Sequence, residues 1–231
     1  MNKILFVIPA RSGSKGIKDK NIQNCGKDTL LRQSVKKCLN IKFDADIYVS
    51  TDSNKYLEHI KDLIDNPPFL RPKYLSDDLV SDIEVLIHAL HTCENFYKRD
   101  YKCVVMIQPT CPLRKKQDVV KTIEAIINDN YDSAVTCQKI DKKYHPFKSL
   151  YLDNKGYLGH FIKQESEIIA RQQLDTTYIR NGASYSITPK QLCLGKSFFN
   201  CRSKLVLTES VLSIDSYEEL KYCEQILLKE N

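Results

Sequence analysis

The sequence lacks the features that would direct a protein to a membrane, to a secretory route or onto a nucleic acid. None of its hydrophobic runs approaches the roughly 20 residues that a transmembrane helix needs. Its first residues show no signal-peptide pattern of basic, apolar and small-residue regions, so we expect a cytoplasmic protein. The formal net charge is +6, but Lys and Arg are spread along the chain without a basic arm or a nucleic-acid-binding motif. We therefore expect neither a nucleic acid nor a membrane as a partner.

Cysteines are numerous, but their spacing does not suit a metal site or a disulfide framework. The chain has nine, an odd number, and no two form a Cys-x-x-Cys pair. We therefore expect neither a zinc site nor a set of disulfides. Most of the cysteines are predicted to be small buried hydrophobic residues in a reducing compartment.

The most informative stretch is a basic loop that follows the first predicted strand. Residues 4–8, ILFVI, form an uninterrupted apolar run that is typical of a strand buried on both faces. The chain then breaks at Pro9 into a loop that matches neither the Walker A pattern nor G-x-G-x-x-G. Its glycines and serines allow backbone N–H groups to approach a ligand, and its four cations face the single Asp19. We favour a phosphate-binding loop over a merely solvated basic turn. The residues concerned are Arg11, Ser12, Gly13, Ser14, Lys15, Gly16, Lys18 and Lys20.

Predicted strands and helices alternate as far as Lys139. This alternation is typical of an α/β fold with a mainly parallel sheet and right-handed crossovers. Ser81 and Glu84 predict a capping box at the start of one helix. For Asp52 and Ser53, which follow a strand, we favour an N-cap role over ligand binding. The further strands are predicted over 46–51, 103–107 and 131–138, and the helices over 29–40, 54–64, 81–98 and 117–130.

The chain changes character after Lys139. Residues 141–170 are polar and alternate weakly around the hairpin-turn sequence Asn154-Lys155-Gly156. We expect this excursion to cover a site or to form a subunit contact. The length of the chain favours one domain over 1–231, with 139–170 as a dimerisation or lid insertion.

The carboxyl-terminal part is predicted to end in a strand and a helix. Leu205 to Leu207 has the composition of a short strand, and Tyr217 to Lys229 that of a closing helix. Asp215, just before this helix, would ordinarily be an N-cap. No strand is predicted between 171 and 199.

Six blocks of the sequence, in order, resemble the motifs of the acylneuraminate cytidylyltransferases, the synthetases that make CMP-sialic acid. The resemblance covers nearly the whole chain. It implies a nucleotidyltransferase with a three-layer α/β/α nucleotide-diphospho-sugar transferase (Rossmann-like) fold. It also implies a homodimer in which residues 139–170 reach over the neighbour's site. The blocks are IPARSGSKGIKDKN, RPKYLSDD, IQPTCPLR, HPFK, RQQ followed by YIRNGASY, and SIDSYEEL.

The resemblance implies roles for individual residues. The CTP phosphates would be held by Arg11, Ser14, Lys15 and Lys20. The three cations among these four residues would also be catalytic. Asn21 would lie beside the nucleoside, and Arg71 and Ser81 match positions that recognise the cytosine. The positions that match the sugar site are Gln108, Arg171, Asn181, Tyr185, Phe198 and Phe199, with Lys148 contributed by the partner subunit.

One block departs from the family pattern. The family usually carries Asp-Ile-Asp where this chain has Ser213-Ile214-Asp215. Asp215 matches a magnesium ligand, so Mg²⁺ is the expected cofactor. Ser213 would bind Mg²⁺ more weakly than a carboxylate, because hard cations favour anionic oxygen ligands. The replacement of the first aspartate leaves three possibilities open: one metal ion in place of two, a water molecule as the replacement ligand, or reduced activity.

The expected reaction is the attack of a nine-carbon 2-keto acid on the α-phosphorus of CTP, which releases pyrophosphate and gives the CMP-sugar. N-acetylneuraminic acid is the favoured acceptor, and legionaminic or pseudaminic acid is the alternative. A different class of function is also open, namely a nucleotide-binding regulatory subunit with weakened catalysis. Ser213 supports that alternative, whereas Lys20, Gln108 and Asp215 count against it.

Overall fold

The computed structural model describes residues 3–162, 174–195 and 197–229. The strands in these ranges are β1 (Ile4–Pro9), β2 (Asn24–Cys25), β3 (Asp28–Thr29), β4 (Ala45–Ser50), β5 (Cys103–Met106), β6 (Ser133–Lys139), β7 (Leu150–Leu152), β8 (Leu158–His160), β9 (Tyr178–Ile187) and β10 (Ser203–Leu207). The α-helices are α1 (Leu30–Leu39), α2 (Asn54–Glu58), α3 (Asp82–Tyr97), α4 (Lys116–Ile127), α5 (Pro189–Cys193) and α6 (Tyr217–Lys229).

The central sheet of the described chain has six strands in the order β10-β6-β9-β5-β1-β4. Strand β1 pairs in parallel with β4 and β5, and β6 pairs in parallel with β10. Both pairings of β9 are antiparallel. The predicted α/β class with a mostly parallel sheet is therefore confirmed.

Helices cover both faces of this sheet, which confirms the predicted three layers. Alternate residues of β1 point to opposite faces, as the two-residue period of a strand requires. Ile4, Phe6 and Ile8 belong to a core that also contains buried residues of α1 and α4. Leu5 and Val7 belong to the opposite core, which contains the buried face of α3. Every one of these β1 residues is fully buried, as the apolar run in the sequence predicts.

Strand β9 is the main element that the sequence does not predict. It reads YIRNGASYSI and contains few of the β-branched residues that indicate a strand. Ser184 and Ser186 are fully buried within it. Both hydroxyl groups lie within hydrogen-bond distance of Thr122 Oγ1 on α4, at 2.8 Å and 2.9 Å. Since a polar strand can be buried only if its polar groups are bonded, tertiary contacts make this strand possible.

Two helices differ from the predictions, α2 in its length and both in their capping. Helix α2 spans only Asn54–Glu58, and its N-cap position forms no side-chain hydrogen bond. Helix α6 has the predicted bounds, but Asp215 is not its cap. The Oγ of Ser216 accepts a hydrogen bond from Glu219 N at 3.2 Å, and the Glu219 carboxylate accepts one from Ser216 N at 2.9 Å. This reciprocal cap leaves the carboxylate of Asp215 available for other contacts.

Part of the polar excursion after Lys139 is described. Strands β7 and β8 form an antiparallel pair that is separate from the six-stranded sheet. Gly156 adopts φ +81° in the turn between them, so the predicted hairpin is confirmed. Residues 163–173 lie outside the described ranges. Within the described ranges, no helix combines the length and hydrophobicity that crossing a membrane requires. Seven of the nine cysteines are buried, as predicted.

Candidate functional site

The basic loop after β1 is anchored to the segment that follows β4. The carboxylate of Asp52 accepts hydrogen bonds from Ser12 N at 2.8 Å and from Ser12 Oγ at 2.9 Å. Asp19 pairs with Lys55 Nζ at 2.7 Å and accepts a bond from the Tyr56 hydroxyl at 3.3 Å. The Lys55 hydrogen bond holds the pKa of the Asp19 carboxyl below its usual range. Of the two residues favoured for the N-cap, Ser53 occupies that position of α2 without a side-chain cap bond, whereas the Asp52 carboxylate fixes the loop.

Three cations of the loop pair with carboxylates from other parts of the chain. Arg11 and Lys15 both contact Asp78, one at each carboxylate oxygen. Lys20 Nζ lies 2.8 Å from Asp215 Oδ1, and it also donates to the carbonyl of Ile214 at 3.0 Å. Lys20 therefore connects the start of the chain to the segment before α6.

Gly16 allows this connection to be close. A Cβ atom at Gly16 would lie 2.7 Å from the backbone oxygen of Asp215, a distance that real Cβ contacts do not adopt. The glycine is therefore required where the loop meets the segment before α6.

Asn21 and Arg71 are held by backbone and side-chain oxygens. Asn21 is buried, and its amide donates to the Arg11 carbonyl at 3.1 Å. Arg71 is 5% exposed and donates to Ser50 Oγ at 3.1 Å and to Ser50 O at 2.5 Å. Desolvation lowers the pKa of the Arg71 guanidinium. Both side chains are thus fixed before any ligand binds.

Three cations of the loop, together with Asn21 and Arg71, line one cavity of about 460 Å³ at the carboxyl ends of β1 and β5. This is where open α/β sheets bind ligands. The cavity brings together eight of the residues assigned to the site from the sequence. They are Arg11, Ser14, Lys15, Lys20, Asn21, Arg71, Gln108 and Asp215.

The turn after β5 is held from inside by Arg114, whose guanidinium is buried. Its Nε donates to Cys111 O at 2.9 Å, and its Nη2 contacts Gln108 O. Cys111 Sγ in turn donates to Asn181 O of β9 at 3.2 Å. Desolvation raises the pKa of the Cys111 thiol, which remains neutral and able to donate. Gln108 and Asn181 are therefore positioned by one connected set of hydrogen bonds.

A second cavity, of about 400 Å³, adjoins the first and contains three of the residues assigned to the sugar site: Gln108, Asn181 and Tyr185. Asn181 Nδ2 donates to Thr208 Oγ1 at 2.7 Å, and the Tyr185 hydroxyl accepts from Gly182 N at 3.1 Å. The two cavities share Asp82, Gln108, Ser213 and Asp215 in their walls.

A third cavity, of about 350 Å³, contains Ser81, Phe198 and Phe199. Phe198 is buried and packs edge-on against Tyr185, with ring centroids 5.4 Å apart. Phe199 is partly exposed. The predicted capping box of Ser81 is confirmed, with Glu84 N donating to Ser81 Oγ at 3.3 Å. Ser81 does not line the main cavity that holds Arg71.

Asp82 and Arg180 are site residues that the sequence analysis does not identify. Asp82 lines all three cavities, and Arg180 lines the second and the third. Asp82 is accessible to solvent. Desolvation by the surrounding residues is the larger effect and raises the pKa of its carboxyl, whereas the positive charges of Arg180 and Arg71 act to lower that pKa. An acid in the first turn of a helix is ordinary, so no signal in the sequence distinguishes Asp82.

Among the described residues assigned to the site, one is not brought to these cavities. Lys148 is exposed on the excursion after β6 and lines none of the three cavities. Arg171 lies outside the described residues.

The arrangement suits a polyanion bound beside a second, polar substrate. Cations line the first cavity, and residues with amide and hydroxyl side chains line the second. Such a site can align two reactants and offset negative charge during transfer.

Gly182 provides a test of how tightly the turn after β5 packs on β9. It has φ +73°, and a Cβ atom there would lie 2.5 Å from Gln108 Oε1 and 3.0 Å from Cys111 Sγ. Gly182→Ala should therefore combine backbone strain of about 1–2 kcal/mol with an overpacking cost of about 1–3 kcal/mol. Gly156→Ala is the matched control, since Gly156 has φ +81° and nothing within 4 Å of the added Cβ. Urea denaturation of both variants measures the free energies of unfolding. Equal losses would contradict the close packing.

The chain matches known proteins along most of its length. The family signature of the cytidylyltransferases covers residues 5–226. The post-translational flagellin modification protein B of Campylobacter coli is 26% identical over 232 residues, which cover 100% of this chain and 97% of that protein. The CMP-N,N'-diacetyllegionaminic acid synthase of Legionella pneumophila is 30% identical over 90% of this chain and 88% of its own length.

Other relatives are longer or more distant. An N-acylneuraminate cytidylyltransferase of Streptococcus agalactiae is 29% identical over 92% of this chain, which spans only 50% of that relative's length. A solved structure of a CMP:2-keto-3-deoxy-manno-octonic acid synthetase complexed with CTP superposes with a TM-score of 0.76 over 100% of both chains. At 14% sequence identity, this likeness concerns the fold. With the family signature matched over residues 5–226, the chain belongs to the cytidylyltransferase family of nucleotidyltransferases.

Proposed function

We propose that the protein transfers CMP from CTP to a nonulosonic acid, with release of pyrophosphate. One observation carries this proposal: the cation-lined cavity and the polar cavity share a wall that contains Gln108, Ser213 and Asp215. A triphosphate in the first cavity and a sugar acid in the second would therefore meet at this wall. The names of the relatives support this class of acceptor.

In the proposed reaction, the oxygen of the sugar's anomeric hydroxyl forms a bond to the α-phosphorus. The bond from that phosphorus to the oxygen bridging to the β-phosphate breaks, and pyrophosphate leaves. The proton of the hydroxyl passes to water. Such a transfer requires alignment and charge neutralisation more than covalent catalysis.

The cations of the first cavity would provide that neutralisation. Arg11 and Lys15 would offset charge on the departing pyrophosphate, and Lys20 would face the α-phosphate. Arg71 and Asn21 would contact the nucleoside, because both are fixed in the wall of the same cavity. Ser81 would contribute to cytosine recognition from the neighbouring cavity.

The residues of the second and third cavities would hold the acceptor. Gln108 and Asn181 offer hydrogen bonds to its hydroxyl groups, and Tyr185, Phe198 and Phe199 offer aromatic surface for an acyl group. Lys148 from a partner subunit and Arg171 are the proposed partners of the sugar carboxylate.

A pyrophosphate-release assay tests this proposal directly. With CTP and Mg²⁺, turnover is expected with at least one of N-acetylneuraminic, N,N'-diacetyllegionaminic and pseudaminic acid, with N-acetylneuraminic acid preferred. UTP in place of CTP, and a reaction without acceptor, are the controls. CTP binding without turnover on any of the three acids would favour the regulatory-subunit alternative instead.

We also propose that the working form is a homodimer. The described part of the excursion after β6 exposes several large apolar side chains, which are typical of an interaction surface. Closed two-fold pairs are the commonest assembly of soluble proteins. Lys148 lies on the same excursion, where a partner's site could receive it. The most exposed of these side chains are Tyr144, Leu150, Leu152, Tyr157, Leu158 and Phe161.

Sedimentation velocity at low micromolar concentration should give about twice the monomer mass, since a closed pair is the expected assembly. Leu158→Glu should shift the protein towards monomer, because it places a charge in the apolar surface of the excursion. Leu194→Glu is the matched control, since Leu194 is also exposed but follows α5, outside the excursion. A wild-type protein that is monomeric and fully active would overturn the dimer and the role of Lys148.

Magnesium is the proposed cofactor, with Asp215 as its protein ligand. The Asp215 carboxylate is 76% exposed and pairs with Lys20. Among the described residues, no group of three or more His, Cys, Asp or Glu side chains could form a metal site. A single carboxylate suits an ion that arrives on nucleotide phosphates, because Mg²⁺ commonly uses one or two carboxylates together with substrate phosphates. The bound ion would offset charge on the phosphates.

Substitutions at Ser213 and Asp215 test the assignment of Asp215 as the magnesium ligand. Ser213→Asp should lower the Mg²⁺ concentration for half-maximal rate, because an added anionic oxygen raises the affinity for a hard dication. Ser213→Asn is the matched control of similar size without the charge. Asp215→Asn should abolish most activity in either background. The measurements are initial rate and CTP-binding affinity as functions of Mg²⁺ concentration. An unchanged requirement in Ser213→Asp would reject the weakened site, and a fully active Asp215→Asn would reject the ligand.

A further inference from the structure

One carboxylate bridges the two walls of the main cavity. Asp78 lies on the segment that follows Arg71, and it pairs with Arg11 through one oxygen and with Lys15 through the other. The hydrogen bonds from Lys15 and Arg11 hold the pKa of the Asp78 carboxyl below its usual range, so the group is charged at neutral pH. The side chains of Arg11 and Asp78 are 30% and 29% exposed, whereas that of Lys15 is 83% exposed. No role for Asp78 follows from the sequence.

Both partners of Asp78 are cations that the proposed function assigns to the nucleotide phosphates. A carboxylate and a phosphate are alternative acceptors for the same guanidinium and ammonium donors. The bridge therefore occupies donors that a triphosphate or a pyrophosphate would need. A phosphate chain and an unscreened carboxylate in this place would also repel each other.

We propose that Asp78 is a positioning residue that stands in for the phosphates when the nucleotide site is empty. It holds Arg11 and Lys15 at the mouth of the cavity, and it is exchanged for phosphate when a ligand binds. This inference rests on the proposed function, because it needs a phosphate ligand in the main cavity. It goes beyond that function by stating what sets the affinity for the nucleotide and for the released pyrophosphate.

The exchange has a definite energetic sign. Binding of a phosphate chain must break both ion pairs of Asp78, so part of the gain from the new contacts is cancelled. Ion pairs that are partly exposed contribute little each, so the effect on affinity should be moderate. Weaker pyrophosphate binding also speeds product release, a step that limits the turnover of many enzymes.

Asp77 provides a matched control for the charge of Asp78. It lines the same cavity, and its carboxylate accepts the backbone N–H of Asp78 at 2.6 Å. Unlike Asp78, it forms no ion pair with a cation of the described chain. Asp77→Asn therefore removes the same formal charge without breaking the bridge.

Calorimetric titration of the full-length protein with pyrophosphate, without acceptor, tests the inference. Asp78→Asn should bind pyrophosphate about three- to tenfold more tightly than the wild type, as the loss of two partly exposed ion pairs implies. Asp77→Asn should change the affinity less than about twofold, since it removes only a more distant charge. Asp78→Glu should restore wild-type affinity, because it keeps the carboxylate.

Steady-state kinetics separates this role from a merely structural one. Asp78→Asn should lower the KM for CTP and strengthen inhibition by pyrophosphate, whereas a misfolded loop would raise the KM. Unchanged or weaker pyrophosphate binding in Asp78→Asn, with normal binding by the wild type, would overturn the role of Asp78 alone. A wild-type protein that binds neither CTP nor pyrophosphate would overturn the proposed function, and this inference with it.

Discussion

Charge balance within the main cavity is the constraint on which the rest of the site depends. The described residues that line it include four cations and four carboxylates, so their formal charges cancel. Four cations in one cavity would repel one another strongly if they were left unpaired. The fold resolves this by bringing acids from distant segments: Asp78 to Arg11 and Lys15, and Asp215 to Lys20. The empty site is therefore stabilised by ion pairs, and a ligand binds by exchanging partners within it.

The same pairs hold the architecture of the site together. The loop after β1 is connected to the segment after β4 through Asp52, to the segment after Arg71 through Asp78, and to the segment before α6 through Lys20. A different set of contacts connects the turn after β5 to β9, through Cys111. Each segment follows a strand of the sheet or leads into a helix that packs on it. The sheet thus fixes where each loop begins, and the polar contacts fix how the loops are placed relative to one another.

Much of the fold could be predicted because burial leaves a periodic pattern in the sequence. The run from Ile4 to Ile8 and the apolar spacing of α1, α3 and α4 are direct consequences of facing a core. Strand β9 carries only a short pattern: its last five residues alternate between buried apolar side chains and serines. Ser184 and Ser186 are buried through hydrogen bonds to Thr122, and nothing in the sequence distinguishes such serines from those of an exposed loop. The length of α2 was also misjudged, since local composition does not reveal where tertiary contacts end a helix.

The candidate site was predictable to the extent that its residues lie within recognisable motifs. Arg11, Lys20 and Gln108 meet in one cavity, although nothing in the spacing of their segments specifies that they do. The contacts of Asp52, Asp78 and Asp82 could not be predicted, for a common reason. An acid near a strand end or a helix start has an ordinary local explanation, and only the fold reveals that its carboxylate faces another segment. The cations of the site can therefore be identified from the sequence more readily than their counter-ions.

The serine at position 213 can be understood through the same charge balance. An aspartate there would face both cavities beside Asp215 and add a fifth carboxylate to a cavity that now has four of each sign. That extra negative charge would oppose a polyanionic nucleotide unless a dication neutralised it. With Ser213, the formal charges of the residues that line the cavity cancel, and Lys20 is the counter-ion of Asp215. With a serine at position 213, less positive charge from metal ions is needed to neutralise the wall of the cavity. This is consistent with the proposal of a single magnesium ion that is carried by the nucleotide itself.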